Sequence, residues 1–185
     1  MTGAMPVLRR ARTSDEAGTS RAPLLRRART ADIRAIRALV APLAERRVLV
    51  SKEAVTYYES VQEFRVAEVD GRVVGCGALH VMWEDLAEIR TLAVADDQLG
   101  TGLGGRILEE LVEDARALGV RRLFCLTFET HFFERHGFAA IEGQAVSHAV
   151  YAELLRSYDE GVAEFLDLER VKPNTLGNTR MLRNL

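Results

Sequence analysis

The chain has 185 residues, 48% of them hydrophobic and 28% charged, with a formal net charge of −2. That size is one domain with room for a core, the composition is too apolar for general disorder, and the near-neutral balance gives no reason to expect nucleic acid or an anionic membrane as partner. No apolar run reaches the roughly 20 residues of a membrane span and no signal-peptide core is visible, so the expectation is a cytoplasmic protein.

The N-terminus carries a short repeat: Leu8-Arg9-Arg10-Ala11-Arg12-Thr13 recurs as Leu25-Arg26-Arg27-Ala28-Arg29-Thr30. The copies are too short to build a repeat fold. Only the second leads into periodic hydrophobics, so residues 1–23 are read as a disordered leader and residues 24–170 as the folded domain. A strand is expected at Leu24–Ala28. Thr30 is expected to cap a helix bearing Ile33, Ile36, Leu39, Val40 and Leu43 at helical spacing. Ser51 is expected to cap a second helix running to Gln62. Phe64–Val69 and Arg72–Val81 alternate on either side of Asp70-Gly71, which reads as a β-hairpin.

Glu88–Val94 reads as another strand, and Ile107, Leu108, Leu111, Val112, Ala115 and Leu118 as the apolar face of a helix stopped by Gly119. Further on, strands are expected at Arg122–Thr127, Phe138–Glu142 and Val162–Leu168, and helices at Thr130–Arg135 and Ser147–Ser157. Residues 171–185 are expected to form a tail packed on the domain. The order predicts an α/β fold with a mixed sheet of six to seven strands and helices on both faces.

The two cysteines, Cys76 and Cys125, lie in apolar runs and read as reduced core residues. Only Lys52 and Lys172 are lysines among the 25 basic residues. His131 and His136 have no cysteine or carboxylate cluster beside them, and no metal is expected.

Most informative is the strand Glu88-Ile89-Arg90-Thr91-Leu92-Ala93-Val94, followed by Leu99-Gly100-Thr101-Gly102-Leu103-Gly104-Gly105 at a helix start. Glycines permit close backbone approach, and free amides at a helix N-terminus suit a phosphate. An ordinary glycine-rich connection is the competing reading. No Lys-Ser or Lys-Thr follows the glycines, which excludes a Walker A loop, and the spacing is wrong for a dinucleotide fingerprint.

Here the sequence resembles the GNAT superfamily of acetyl-CoA-dependent N-acetyltransferases, whose turn reads Arg/Gln-x-x-Gly-x-Gly/Ala. Gly102 and Gly104 match, while Leu99 replaces the usual Arg or Gln. A second landmark, a strand and short helix ending in a Gly-Phe pair, is matched by Leu123–Thr127 and Phe132-Phe133-Glu134-Arg135-His136-Gly137-Phe138. A narrower resemblance is to the acetyltransferase half of N-acetylglutamate synthases, carried by Arg26-Arg27-Ala28, Gly75-Cys76-Gly77-Ala78-Leu79, Glu88 and Leu123–Thr127. The tail Tyr158–Arg180 is similar to that of a short stand-alone bacterial form.

The resemblance implies acetyl transfer from acetyl-CoA to the α-amino group of L-glutamate, the first step of arginine biosynthesis. Other acceptors, such as glutamine or a protein N-terminus, stay open, as does a non-catalytic acetyl-CoA-binding regulatory module. It implies Glu88 as base, with a structural ion pair to an arginine as the alternative, and the Leu92 amide as the group that polarises the acetyl carbonyl. Ala93 and Val94 would present backbone to the pantetheine arm, Leu99, Gly100, Thr101, Gly102, Leu103, Gly104 and Gly105 would surround the pyrophosphate, and Phe133 would pack near the sulfur. Period 2 puts Glu88, Arg90 and Leu92 on one face. Phe133 stands where a tyrosine acid is usual, leaving water, Tyr151 or Tyr158 as proton donor. Lys52, His80 and Arg90 are the candidate cations for the substrate carboxylates, with Lys172 and Arg180 as further possibilities. Pairing of two copies into a homodimer is left open.

Overall fold

The computed structural model describes residues 22–46, 49, 52–169 and 177–185. Most of the expected leader, Ser51 and Lys172 lie outside the described residues. The described residues form a seven-stranded sheet, β1 Leu24–Arg27, β2 Phe64–Val69, β3 Arg72–Trp83, β4 Leu86–Val94, β5 Arg122–Thr127, β6 Ala139–Ala140 and β7 Thr179–Asn184. Their spatial order is β1-β2-β3-β4-β5-β7-β6. The first four are antiparallel, β4 and β5 are parallel, and β7 runs antiparallel to both neighbours.

One face carries α3 (Leu103–Ala117) and α4 (Thr130–Arg135). Ile107, Leu108, Leu111 and Ala115 of α3 pack on Ala87 and Ile89 of β4 and Leu123 and Cys125 of β5. The opposite face carries two groups. Around α1 (Ile33–Glu45) and α2 (Ala54–Glu59), Ile33, Ile36, Val40 and Tyr57 pack on Val66, Cys76 and Ala78. Around α5 (His148–Leu154) and α6 (Glu160–Phe165), Leu154, Val162, Phe165 and Leu166 pack on Leu86 and Phe124. Both cysteines are buried and unpaired.

Several expectations need correction. Thr30 is not a helix cap: residues 30–32 form a 3-10 turn, and Asp32 accepts from the Arg29 amide and from the Arg26 guanidinium. Phe138–Glu142 pairs only at Ala139 and Ala140. Val162–Leu168, expected as the last strand, lies in α6 and the turn after it. The Asp159 side chain accepts from the Val162 amide, an N-cap, and every residue from Gly161 to Leu166 is buried, so the segment shows no periodicity from which to choose helix or strand. The last strand is β7, inserted between β5 and β6, so the described end of the expected tail is part of the sheet. No helix among the described residues is long and apolar enough to cross a membrane.

Candidate active site

Two irregularities in β4 shape the site. Its parallel pairing with β5 covers only Leu86, Ala87 and Glu88, against Arg122, Leu123 and Phe124. Beyond Glu88 the strands part, and β4 is paired only with β3. The second irregularity is a bulge. The register passes from Ala78↔Arg90 to Cys76↔Ala93, so Thr91 and Leu92 together face Gly77, and Thr91 has φ 58°. A bulge leaves its extra residue outside the regular ladder and reverses the alternation of side chains. Leu92 and Val94 therefore pack with the α3 cluster, and Ala93 with α1. The expectation that Leu92 shares a face with Glu88 and Arg90 is corrected.

A cavity of about 770 Å³ opens where the strands part. Thr91, Leu92, Ala93 and Val94 line it along β4, and Leu126, Thr127 and Phe133 line it from the β5–α4 side. Leu99 and Gly104 border it at the α3 end. Gly100, Thr101 and Gly102 are exposed, Leu103 points into the core, and Gly105 abuts His136. Gly102 is the N-cap of α3 at φ 82°, a conformation that favours glycine, and no side chain caps this end. The first amides of α3 are thus left to solvent or a ligand, and no acidic residue sits in its first turn. An exposed strand edge leading to uncapped amides fits an extended thioester cosubstrate that ends in phosphates.

Charge concentrates at the head of the split. Glu88 is only 4% exposed and borders the cavity. Its Oε2 has no hydrogen-bond partner, and the nearest Arg90 nitrogen is 3.7 Å away, too far for a hydrogen bond. Burial pushes its carboxyl up, against the pull of Arg90 and Lys52, while Asp159 adds to the rise.

Arg90 also lines the cavity, but its guanidinium is engaged. Nη2 donates to Glu63 Oε2 at 2.9 Å and Nη1 to Asp159 Oδ2 at 3.0 Å. His80 is not on the cavity. Its Nδ1 bonds Glu63 Oε1 at 2.8 Å and its Nε2 lies 3.7 Å from Asp159. Burial favours protonation of Glu63 and Asp159, but His80 and Arg90 outweigh it at Glu63, and Arg90 at Asp159, so both carboxyls stay below the usual range. Lys52 borders the cavity half-buried, with no ion pair among the described residues, and burial together with the Arg90 charge lowers its pKa.

Phe133 is buried beside the cavity, edge-on to Phe132 and Phe138 at 5.1 and 5.2 Å. Tyr158 borders the cavity and is almost fully exposed, whereas Tyr151, on α5, packs against the cluster of Leu86, Phe124 and Phe165. Arg180 donates to the carbonyls of Gly143 and Phe165, away from the cavity.

Sequence reasoning missed two residues, both on α6. Glu164 is buried, borders the cavity, and has a carboxyl pushed up to about 8, chiefly by burial and then by the charges of Glu88 and Glu160. Gly161 lets α6 lie against Glu88: a Cβ there would overlap Glu88 Oε2 and stand 2.8 Å from its Cδ. The available signal was Asp159 ahead of Glu160, an N-cap with an acidic first turn.

The family model described as Acetyltransferase (GNAT) family matches residues 33–138. The chain is 57% identical to an amino-acid acetyltransferase of Mycobacterium tuberculosis over 180 residues, which covers 96% of this chain and 93% of the relative. Among solved structures it is similar to Rv2747 of Mycobacterium tuberculosis, crystallised with CoA (TM-score 0.85, 57% identity, 88% of this chain and 99% of the other). It is also similar to N-acetylglutamate synthase of Neisseria gonorrhoeae complexed with coenzyme A and N-acetyl-glutamate (TM-score 0.71, 27% identity). There the match covers 88% of this chain and 35% of the longer protein.

Proposed function

This chain belongs to the GNAT family of acetyltransferases, and from that premise we propose that it acetylates the α-amino group of L-glutamate at the expense of acetyl-CoA. The observation that carries the reading is Glu88, a buried carboxylate at the point where β4 and β5 part, with one oxygen unpartnered beneath α6 and the residue bordering a cavity of cosubstrate size.

An amino acid arrives as an ammonium ion. Glu88 accepts one proton from it, and burial, by raising the pKa of its carboxyl, makes it a stronger base. The freed amine then attacks the thioester carbonyl. The N–C bond forms, the C–S bond breaks, and the second nitrogen proton ends on the departing thiolate. The Leu92 amide, left outside the regular ladder by the bulge, is the donor for the developing oxyanion. Phe133 supplies an apolar wall and no proton, and of the two candidate tyrosines only Tyr158 borders the cavity. Ala93, Val94, Leu99 and the turn ahead of α3 hold the CoA portion. With glutamate as acceptor, the reaction stands at the start of arginine biosynthesis, in the cytoplasm.

One observation favours a second acceptor. Arg90 is committed to Glu63 and Asp159, so Lys52 and Arg46 are the cations lining the cavity that have no carboxylate partner among the described residues. A neutral amide side chain, as in glutamine, needs one anion contact fewer than glutamate.

Thiol release from acetyl-CoA, followed across a panel of amino acids, ranks the acceptors. Release with none of them, alongside intact acetyl-CoA binding, leaves a binding module instead. In that assay Glu88→Gln is expected to lose roughly 100-fold or more in turnover, without rescue at high pH and with acetyl-CoA binding intact. Unchanged turnover removes Glu88 as the base.

A further inference from the structure

We propose that Glu164 joins Glu88 in seating the ammonium group of the acceptor, so that the attacking nitrogen enters between two buried carboxyl groups rather than beside one. The proposal deepens the acyl-transfer reading above and rests on it.

The geometry begins at Gly161. Because it has no Cβ, α6 lies directly on the Glu88 carboxylate. Glu164 follows three residues later, on the same helix face. Both residues are less than a tenth exposed and both border the one cavity. No side chain among the described residues hydrogen-bonds or ion-pairs with Glu164, and Oε2 of Glu88 is likewise unpartnered. Buried carboxyls without donors are costly unless a ligand supplies them.

The surrounding charges leave that role open. Facing the pair are Asp159 and Glu160 from α6 and its cap, Arg90 from β4, and Lys52 from the segment before α2. Arg90 hydrogen-bonds to Glu63 and Asp159, with His80 behind them, so it does not serve Glu164. Lys52 is a single cation among these acids. An incoming ammonium brings one positive charge and three donors to two cavity-lining carboxyls that no side-chain donor satisfies in full.

Without a ligand the pair avoids double charge by keeping a proton on Glu164, whose carboxyl is pushed up to about 8. A bound ammonium favours the charged form of both carboxyls. Binding is therefore expected to release roughly half to one proton at pH 7.

The test is calorimetry on the full chain saturated with CoA, so that no turnover occurs. L-glutamine and L-glutamate are titrated at pH 7 in two buffers of different ionisation enthalpy. The wild type is expected to release that proton. Glu164→Gln, which cannot release one, is expected to bind the amino acid roughly tenfold or more weakly, with acetyl-CoA affinity unchanged. Glu164→Asp should recover part of both effects. A Glu164→Gln chain with wild-type affinity and proton count overturns the pair and leaves Glu88 standing as base. Should that variant fail to fold, the wild-type proton count decides: no release overturns the proposal. If no amino acid binds the wild type, this inference and the acceptor reading fall together.

Discussion

Replacing Glu164 with glutamine keeps the shape of the side chain and removes its proton equilibrium, which makes its electrostatic cost measurable through folding. The carboxyl ordinarily titrates near 4.5, and burial with the Glu88 and Glu160 charges pushes it up to about 8. Between those pH values the folded chain keeps a proton that the unfolded chain has lost. Stability must therefore fall as pH rises through the window. A gap of about 3.5 pH units at about 1.4 kcal/mol each sets a ceiling of about 5 kcal/mol. Part of the rise comes from the Glu88 charge, and Glu88 adjusts its own protonation, so about 2–5 kcal/mol is expected. Urea unfolding of wild type and Glu164→Gln between pH 5 and 8.5 reads the difference. The curves should nearly meet at the acid end, with the variant the more stable at the alkaline end. Parallel curves would refute the claim that Glu164 is buried as an acid.

Two other substitutions probe the same region. Gly161→Ala places a methyl group on the Glu88 carboxylate, so α6 must retreat; thermal melts should show a loss of about 1–3 kcal/mol, with lower turnover and an unchanged acetyl-CoA KM. Arg90→Gln removes the guanidinium that holds Asp159, and together with His80 holds Glu63, below the usual range. The stability from such depressed carboxyls is full above their ordinary pKa and vanishes as pH falls through the lowered one. The variant should therefore lose about 3 kcal/mol or more at pH 7 and progressively less toward pH 3, measured by unfolding across that range.

What was legible in the sequence followed local rules. β2, β5 and α4 have the limits read from alternation and helical spacing, and the Asp70-Gly71 turn joins β2 to β3 as expected. Glu88 and the glycine turn could be proposed because strand, turn and helix start are contiguous and resemble a family pattern. What escaped depends on packing between distant segments. Val162–Leu168 looks like a strand because every residue up to Leu166 is buried and all of those but Glu164 are apolar, and burial on every side erases periodicity. β7, Thr179-Arg180-Met181-Leu182-Arg183-Asn184 at the chain end, shows no alternation of polar with apolar residues, and only its place between β5 and β6 makes it a strand. The β4 bulge has no sequence mark, yet it decides which side chains face the cavity. Glu164 and Gly161 acquire meaning only once α6 is known to lie on β4.

These unforeseen features sit within a few residues of one carboxylate, and their costs point the same way. Thr91 is β-branched and held at φ 58°, a conformation disfavoured for its type. Glu88 is buried without a full complement of donors, and Glu164 is buried as an acid among other acids. A sheet chosen for stability alone has no use for any of the three, since a regular β4 with apolar residues at 88 and 164 would lower the energy of each. Regular pairing would, however, put Thr91 and Leu92 back into the ladder and remove the amide proposed as the oxyanion donor. Apolar replacements would remove the proposed proton acceptor and its proposed companion. Strain, vacant acceptors and like charge thus coincide at the place where an ammonium must lose a proton and a carbonyl must gain negative charge. That coincidence supports the proposed placement of the chemistry at the head of the β4–β5 split, with the glycine turn proposed to hold the far end of the cosubstrate.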